Sequence, residues 1–178
     1  MPRYAVLLRG INLGARNRIS MPELRALLEE TGFTNVVTYV QSGNVVLGGR
    51  GSAAHVGRKC EAAIAERLGL EIPVVVRTRD ELAAVVRRNP LRRVATNPKR
   101  YQVTFLDREL DAGVVEKLHA AALPGEELVV AGREVYAWLP EGVARSRLWA
   151  LLAGRSLGAT ATARNWTTVT KLLELAGD

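Results

Sequence analysis

The stretch Leu7 to Ser20, LLRGINLGARNRIS, sets two glycines, two asparagines and three arginines between an apolar run and a helix start. Gly10 and Gly14 let the backbone approach a ligand closely, and Arg9, Asn12, Arg16 and Asn17 supply donors. A helix N-terminus carries roughly half a positive charge, so arginines placed beside it are unfavourable unless an anion lies between. The chemistry that fits is recognition of a phosphate or a carboxylate. No Gly-Lys-Ser/Thr follows, so this is not a P-loop, nor is it a dinucleotide fingerprint. Turn geometry calls for the same glycines and asparagines, and the two roles are compatible.

Arginine precedes a helix start a second time in ARNWTTVTKLLEL, where Arg164 stands before Asn165, the expected N-cap. Trp166 offers a face for stacking on a ring or base, or a hydrophobic lid, and Lys171 lies one turn further on. In YVQSGNV, Ser42 and Asn44 flank Gly43 at an expected hairpin turn; they join the candidates if that turn lies beside the Arg9 loop. The densest positive run, Arg87, Arg88, Arg92, Arg93, Lys99 and Arg100, is a candidate for contact with a nucleic-acid backbone. Single-strand binders interleave stacking aromatics, however, and only 5% of this chain is aromatic.

Conventional catalytic sets are missing from the sequence pattern. His55 and His119 fall on separate expected helices without metal-ligand spacing, so no metal is expected, and no cofactor motif is present. The lone Cys60 sits on an apolar stripe, as an inert core thiol does, and there is no Gly-x-Ser-x-Gly elbow. No catalytic residue is assigned, and the sequence leaves open whether the protein is an enzyme. Three readings remain: a site for a phosphate- or carboxylate-bearing small ligand, RNA binding through a basic surface, and a non-catalytic interaction or scaffold protein whose sheet edges pair with another copy.

With 178 residues and 48% apolar content the chain can bury a core without staples. One cysteine excludes an internal disulfide framework, and a cytoplasmic setting is expected. No run reaches the roughly 18 apolar residues of a membrane span, and the start is too quickly charged for a signal peptide. The net charge of +7 favours anionic partners. Of the 25 basic residues only Lys59, Lys99, Lys117 and Lys171 are lysine, a skew that genomic base composition produces without any role for guanidinium geometry. Position must decide which arginines matter.

The elements that would hold these residues follow from periodicity. RYAVLLR reads as a buried strand, and SMPELRALLEETGF as a helix with Ser20 and Glu23 at capping-box spacing and Gly32 as its stop. NVVTYVQ and NVVLGG form a hairpin; Val56, Cys60, Ala63, Ile64 and Leu68 mark a helix ending at Gly69; IPVVVRT is the next strand. A linking helix opens at Thr78 and Glu81 and stops before Pro90. A second strand, helix, hairpin and helix follow, turning at Gly132 and Arg133. The expected organisation is residues 1–78 as one ferredoxin-like half (βαββαβ), 79–99 as a linking helix and loop, and 100–178 as a second half (βαββα) plus a C-terminal helix. The class is α+β, with antiparallel sheets carrying helices on one face.

The segments LLRGINLGARNRISMPELRALLEETGFTNVVTYVQSGNVVL, VTFLD and RNWTTVTKLLEL together resemble the bacterial family known as domain of unknown function 1697, in the same order along nearly the whole chain. The resemblance implies two ferredoxin-like halves and brings no catalytic residue with it. The chain departs from the pattern at Ala15, where relatives usually carry a second glycine after Gly14.

Overall fold

The computed structural model describes residues 1–177. They fall into two compact units, Met1–Ala84 with the chain from Lys171 onward, and Val85–Thr170. Each is built on a four-stranded antiparallel sheet.

The first unit runs β1 (Arg3–Leu8), α1 (Met21–Glu30), β2 (Thr34–Tyr39), β3 (Asn44–Gly48), α2 (Ala53–Leu68) and β4 (Val74–Thr78). The strand order β2-β3-β1-β4 is the split βαβ arrangement of ferredoxin-like folds. Helix α1 starts where Ser20 Oγ accepts the Glu23 N–H at 3.2 Å and Pro22 presets the first turn. Its Leu24, Leu27 and Leu28 meet Val56, Cys60 and Ile64 of α2 over Tyr4, Val6 and Leu8 of β1. Each such fully buried aliphatic side chain contributes about 1.5–3 kcal/mol relative to exposure.

A reciprocal capping box opens α3 (Arg79–Arg88): Glu81 N–H donates to Thr78 Oγ1 at 3.1 Å, and Thr78 N–H donates to Glu81 Oε2 at 2.9 Å. This helix begins in the first unit and ends in the second.

The second unit runs β5 (Tyr101–Leu106), α4 (Ala112–Ala121), β6 (Glu127–Ala131), β7 (Glu134–Trp138), α5 (Arg147–Ala153) and β8 (Ala161–Asn165), with strand order β6-β7-β5-β8. Leu118, Leu148 and Leu152 of α4 and α5 pack on Leu106, Leu128, Val135 and Ala137. Helix α6 (Trp166–Ala176) then leaves this unit. Its end is tied into the first by Arg3 Nη2 donating to Leu175 O at 3.4 Å and Arg79 Nε to Gly177 O at 2.8 Å.

One expectation needs correction. The second half is βαββαβ rather than βαββα, because Ala161–Asn165 is a strand paired with β5 from Gln102↔Asn165 to Leu106↔Ala161. The segment ATARN is poor in β-branched and aromatic residues, so its strand character comes from the pairing and not from intrinsic preference. The helices cover one face of each sheet, as expected, and the opposite faces are buried too, by Ala5, Leu7, Val46 and Val75 in the first unit and Val103, Phe105 and Tyr136 in the second.

Candidate functional site

The segment between β1 and α1 is shaped by four left-handed residues, Gly10 (φ +69), Asn12 (φ +54), Gly14 (φ +79) and Asn17 (φ +51). Glycine and asparagine tolerate this conformation best, which explains their spacing at the level of the backbone. Asn12 is the fastener. Its Nδ2 donates to Ile19 O at 2.9 Å and to Gln41 O at 2.7 Å, and its Oδ1 accepts the Ile19 N–H at 2.9 Å. Asn12 N–H donates to Asn17 O at 3.1 Å, and Asn17 Nδ2 reaches Gly10 O at 3.4 Å. The loop is thereby closed on itself and clamped to the turn between β2 and β3.

That turn lies beside the Arg9 loop, as a role for Ser42 and Asn44 requires. Leu8 N–H donates to Gly43 O at 2.9 Å. A Cβ on Gly43 (φ +81) would stand 2.7 Å from Leu8 Cβ and 3.0 Å from Ile11 Cδ1, so only glycine lets the turn approach this closely. Asn44 is fully buried and directs Nδ2 to Tyr39 O and Ser42 Oγ, both at 3.1 Å.

The arginines divide by what they touch. Arg18 Nε donates to Gly14 O at 2.9 Å, bracing the loop. Arg9 is half-buried and its N–H donates to Pro73 O at 2.9 Å. Arg16 is exposed and, among the described residues, has neither an ion pair nor a side-chain hydrogen bond. The helix end offers an anion little: Pro22 has no N–H, Glu23 N–H is capped by Ser20, and Leu24 N–H donates to Ser20 O at 3.0 Å. An anion arriving here would meet the Arg16 guanidinium rather than the α1 amides. Sequence reasoning missed Leu13 and Val40, which flank the Asn12–Gln41 bond and are 75% and 52% exposed. Val40 also holds φ +50, a conformation that costs a β-branched residue about 1–3 kcal/mol.

In the second unit Arg164 Nη1 donates to Thr162 Oγ1 and Ala163 O, both at 2.8 Å, so the side chain runs along its own strand. Burial lowers its pKa to about 10, which leaves it charged at neutral pH. Asn165 Oδ1 accepts Thr168 N–H at 3.0 Å, the cap expected of it. Trp166 stacks on Tyr101 with ring centroids 4.8 Å apart and planes at 24°, so this tryptophan face is covered from within. Lys171 pairs with Glu174 at 3.1 Å on α6.

Tyr101 and Tyr136 are buried, and burial pushes both phenols from 10 up to about 12. Because the folded-state value is raised, their contribution to stability is complete below pH 10 and is lost as pH rises from 10 towards about 12. An ultraviolet phenolate titration with parallel circular dichroism checks this: the two groups should ionise together with, or just before, alkaline unfolding. Ionisation of every tyrosine near pH 10 with the fold intact would contradict it.

The lone cysteine and both histidines lie on helices, as the sequence suggested. Cys60 is fully buried, and desolvation, followed by the Glu61 charge, pushes its thiol up to about 12, far from a nucleophilic thiolate. His55 and His119 are both exposed, on α2 and α4. Among the described residues no group of three or more His, Cys, Asp or Glu side chains is placed to hold a metal ion, and no helix is long and apolar enough to cross a membrane.

Similarity to other proteins supports the fold and the family. A solved structure of a conserved bacterial protein, SP0830 from Streptococcus pneumoniae, superposes with a TM-score of 0.79 at 24% identity, covering 98% of each chain. At that identity the likeness concerns the fold. No curated protein matches the sequence. The family described as "Protein of unknown function (DUF1697)" matches residues 1–136, and this chain belongs to it.

Proposed function

We propose that the protein is a binding protein for a phosphate- or carboxylate-bearing small ligand, received by the β1–α1 loop and the β2–β3 turn of the first unit. The observation that carries this reading is the clamp formed by Asn12 between Ile19 and Gln41, which fixes the loop while the Arg16 side chain stays exposed with neither an ion pair nor a hydrogen bond among the described residues. Arg9 and Arg16 supply charge, Ser42 a hydroxyl, and Leu13 and Val40 an apolar surface for the body of a ligand. A preformed loop spares the ordering cost that a mobile one imposes on binding.

The test is calorimetric titration with ligands selected by thermal shift from nucleotides, sugar phosphates and dicarboxylates. Arg16→Ala is expected to weaken the best ligand about tenfold to a hundredfold, the equivalent of one charge-assisted hydrogen bond, with melting temperature unchanged. If no compound in the panel shifts the melting temperature, or if Arg16→Ala binds as well as the parent, the reading fails.

A second reading, nucleic-acid binding by the second unit, is favoured by a separate observation. The run from Arg87 to Arg100 holds six cations and no carboxylate. Arg88 is ion-paired with Glu134 at 3.8 Å. Among the described residues Arg87, Arg92, Arg93 and Lys99 are exposed and have neither an ion pair nor a side-chain hydrogen bond. The interaction-protein reading draws only on the sheet edges, which every open sheet has.

A further inference from the structure

We infer that the Arg87–Arg100 segment is a preformed cationic ledge for the phosphate backbone of a nucleic-acid duplex, in preference to a single strand. The inference rests on the nucleic-acid reading above and adds the form of the partner.

The ledge is fixed at both ends. At its start, Tyr136 OH donates to Val85 O at 2.9 Å and Tyr101 OH donates to Asn89 Oδ1 at 3.0 Å, so two buried phenols hold the last turn of α3. Along its length, Arg92 N–H donates to Asn89 O at 3.3 Å, and Val94 and Ala95 N–H donate to Leu91 O at 3.1 and 2.9 Å. At its end, Asn97 Oδ1 caps Lys99 N–H at 3.0 Å, and Arg100 Nη1 donates to Pro140 O at 3.0 Å. The backbone is thus committed internally, while the side chains of Arg87, Arg92, Arg93 and Lys99 remain in solvent. A backbone fixed in this way spares the cost of ordering the segment, and only the side chains then have to settle on regularly spaced phosphates.

The aromatic residues decide the form. Single strands are held by stacking bases on accessible rings. The ledge itself carries no aromatic residue, and of the nine in the chain six are buried and Tyr39, Trp149 and Trp166 are half-buried. In the second unit Tyr101, Phe105, Tyr136 and Trp138 are buried, Trp149 packs against the helical core, and Trp166 is stacked on Tyr101. A ledge that offers charge and no exposed ring of its own fits a target whose bases are already paired and whose phosphates lie outward. Duplexes, RNA ones especially, are recognised in this way through backbone and shape.

The experiment measures binding of the full chain to labelled duplex RNA, duplex DNA and an unstructured single strand of equal length, by fluorescence anisotropy over a salt series. A duplex is expected to bind about tenfold or more tighter than the single strand, with affinity falling steeply with salt. The combined variant R87Q, R92Q, R93Q and K99Q, whose side chains brace nothing, should melt as the parent does. Its log–log salt slope should drop by about 0.9 for each phosphate that the variant no longer neutralises. A single strand bound as tightly as the duplexes overturns the inference and leaves the nucleic-acid reading standing. Absence of binding to all three at low salt defeats that reading as well, and unchanged duplex binding by the combined variant refutes the ledge as the site.

Discussion

Gly43→Ala is expected to destabilise the protein by about 2–5 kcal/mol, a sizeable share of the roughly 5–15 kcal/mol that holds a domain folded. Two costs combine. The left-handed backbone at φ +81 costs any residue with a Cβ about 1–2 kcal/mol. The new methyl would also stand 2.7 Å from Leu8 Cβ. That atom cannot swing aside on a side-chain torsion, because it is attached directly to β1, and Leu8 is 1% exposed. Overpacking of this kind adds about 1–3 kcal/mol. Gly10→Ala and Gly14→Ala are internal controls, since they share positive φ yet a Cβ at either would meet nothing within 4 Å. Each should cost only the backbone term. Urea denaturation of the three variants separates the terms, and equal losses at Gly43 and Gly14 would show that the close approach of turn to loop is not energetically real.

This contrast also marks how far the sequence could be read. The helix starts at Ser20 and at Thr78 with Glu81 were legible because a cap is a local event, satisfied within four residues. Both sheets were legible in their helix-facing strand residues, and in the first unit the continuous runs of β1 and β4 already signalled burial on both faces. Strand β8 was missed because pairing with β5, more than fifty residues earlier, creates it. The same limit applies at the site. Gly10, Asn12, Gly14 and Asn17 were readable as residues suited to a tight connection, and all four do hold positive φ. Nothing local to Asn12 indicated that its amide would close on the carbonyl of Gln41, twenty-nine residues away. Likewise the basic run was visible, but not that Tyr101 next to it would fasten Asn89. Short-range chemistry was read correctly; partners brought together by the sheets were not.

Where the arginines stand relative to helix ends illustrates the point. An arginine before a helix start suggests an anion bridging guanidinium and amides, a geometry that needs those amides free. In the first unit Ser20 and Pro22 have already used or removed the donors, and in the second Asn165 caps Thr168. Capping residues are favoured at such positions for their own stabilising effect, so a strong sequence signal for a helix start is at the same time a signal against an anion seated on its amides. The surviving case for ligand recognition therefore moves from α1 to the loop surface, and it depends on how firmly the loop is held.

Asn12→Ala tests that firmness, with an expected loss of about 2–4 kcal/mol. The substitution deletes two donated bonds and one accepted bond, and it strands the N–H and carbonyl of Ile19, a residue only 2% exposed. An unsatisfied buried polar group costs about 1–3 kcal/mol, and the methyl adds the strain of φ +54. Asn12→Gly should recover about 1 kcal/mol, the backbone share, and no more. Asn12→Asp separates shape from donor chemistry. It is nearly isosteric and keeps the acceptor for Ile19 N–H, but at neutral pH its second oxygen would face two carbonyls. Those carbonyls favour the protonated acid, so the variant's folded-state pKa is raised. Its stability relative to the parent should accordingly improve as pH falls through that value and worsen as pH rises. Denaturant melts of the parent and the three variants at acid and neutral pH decide the matter, and an Asn12→Asp protein as stable as the parent at neutral pH would show that the clamp does not hold the loop. Combined with Gly43→Ala the losses should be less than additive, because both residues secure the same loop to the same turn, and once either is gone the other has less left to hold.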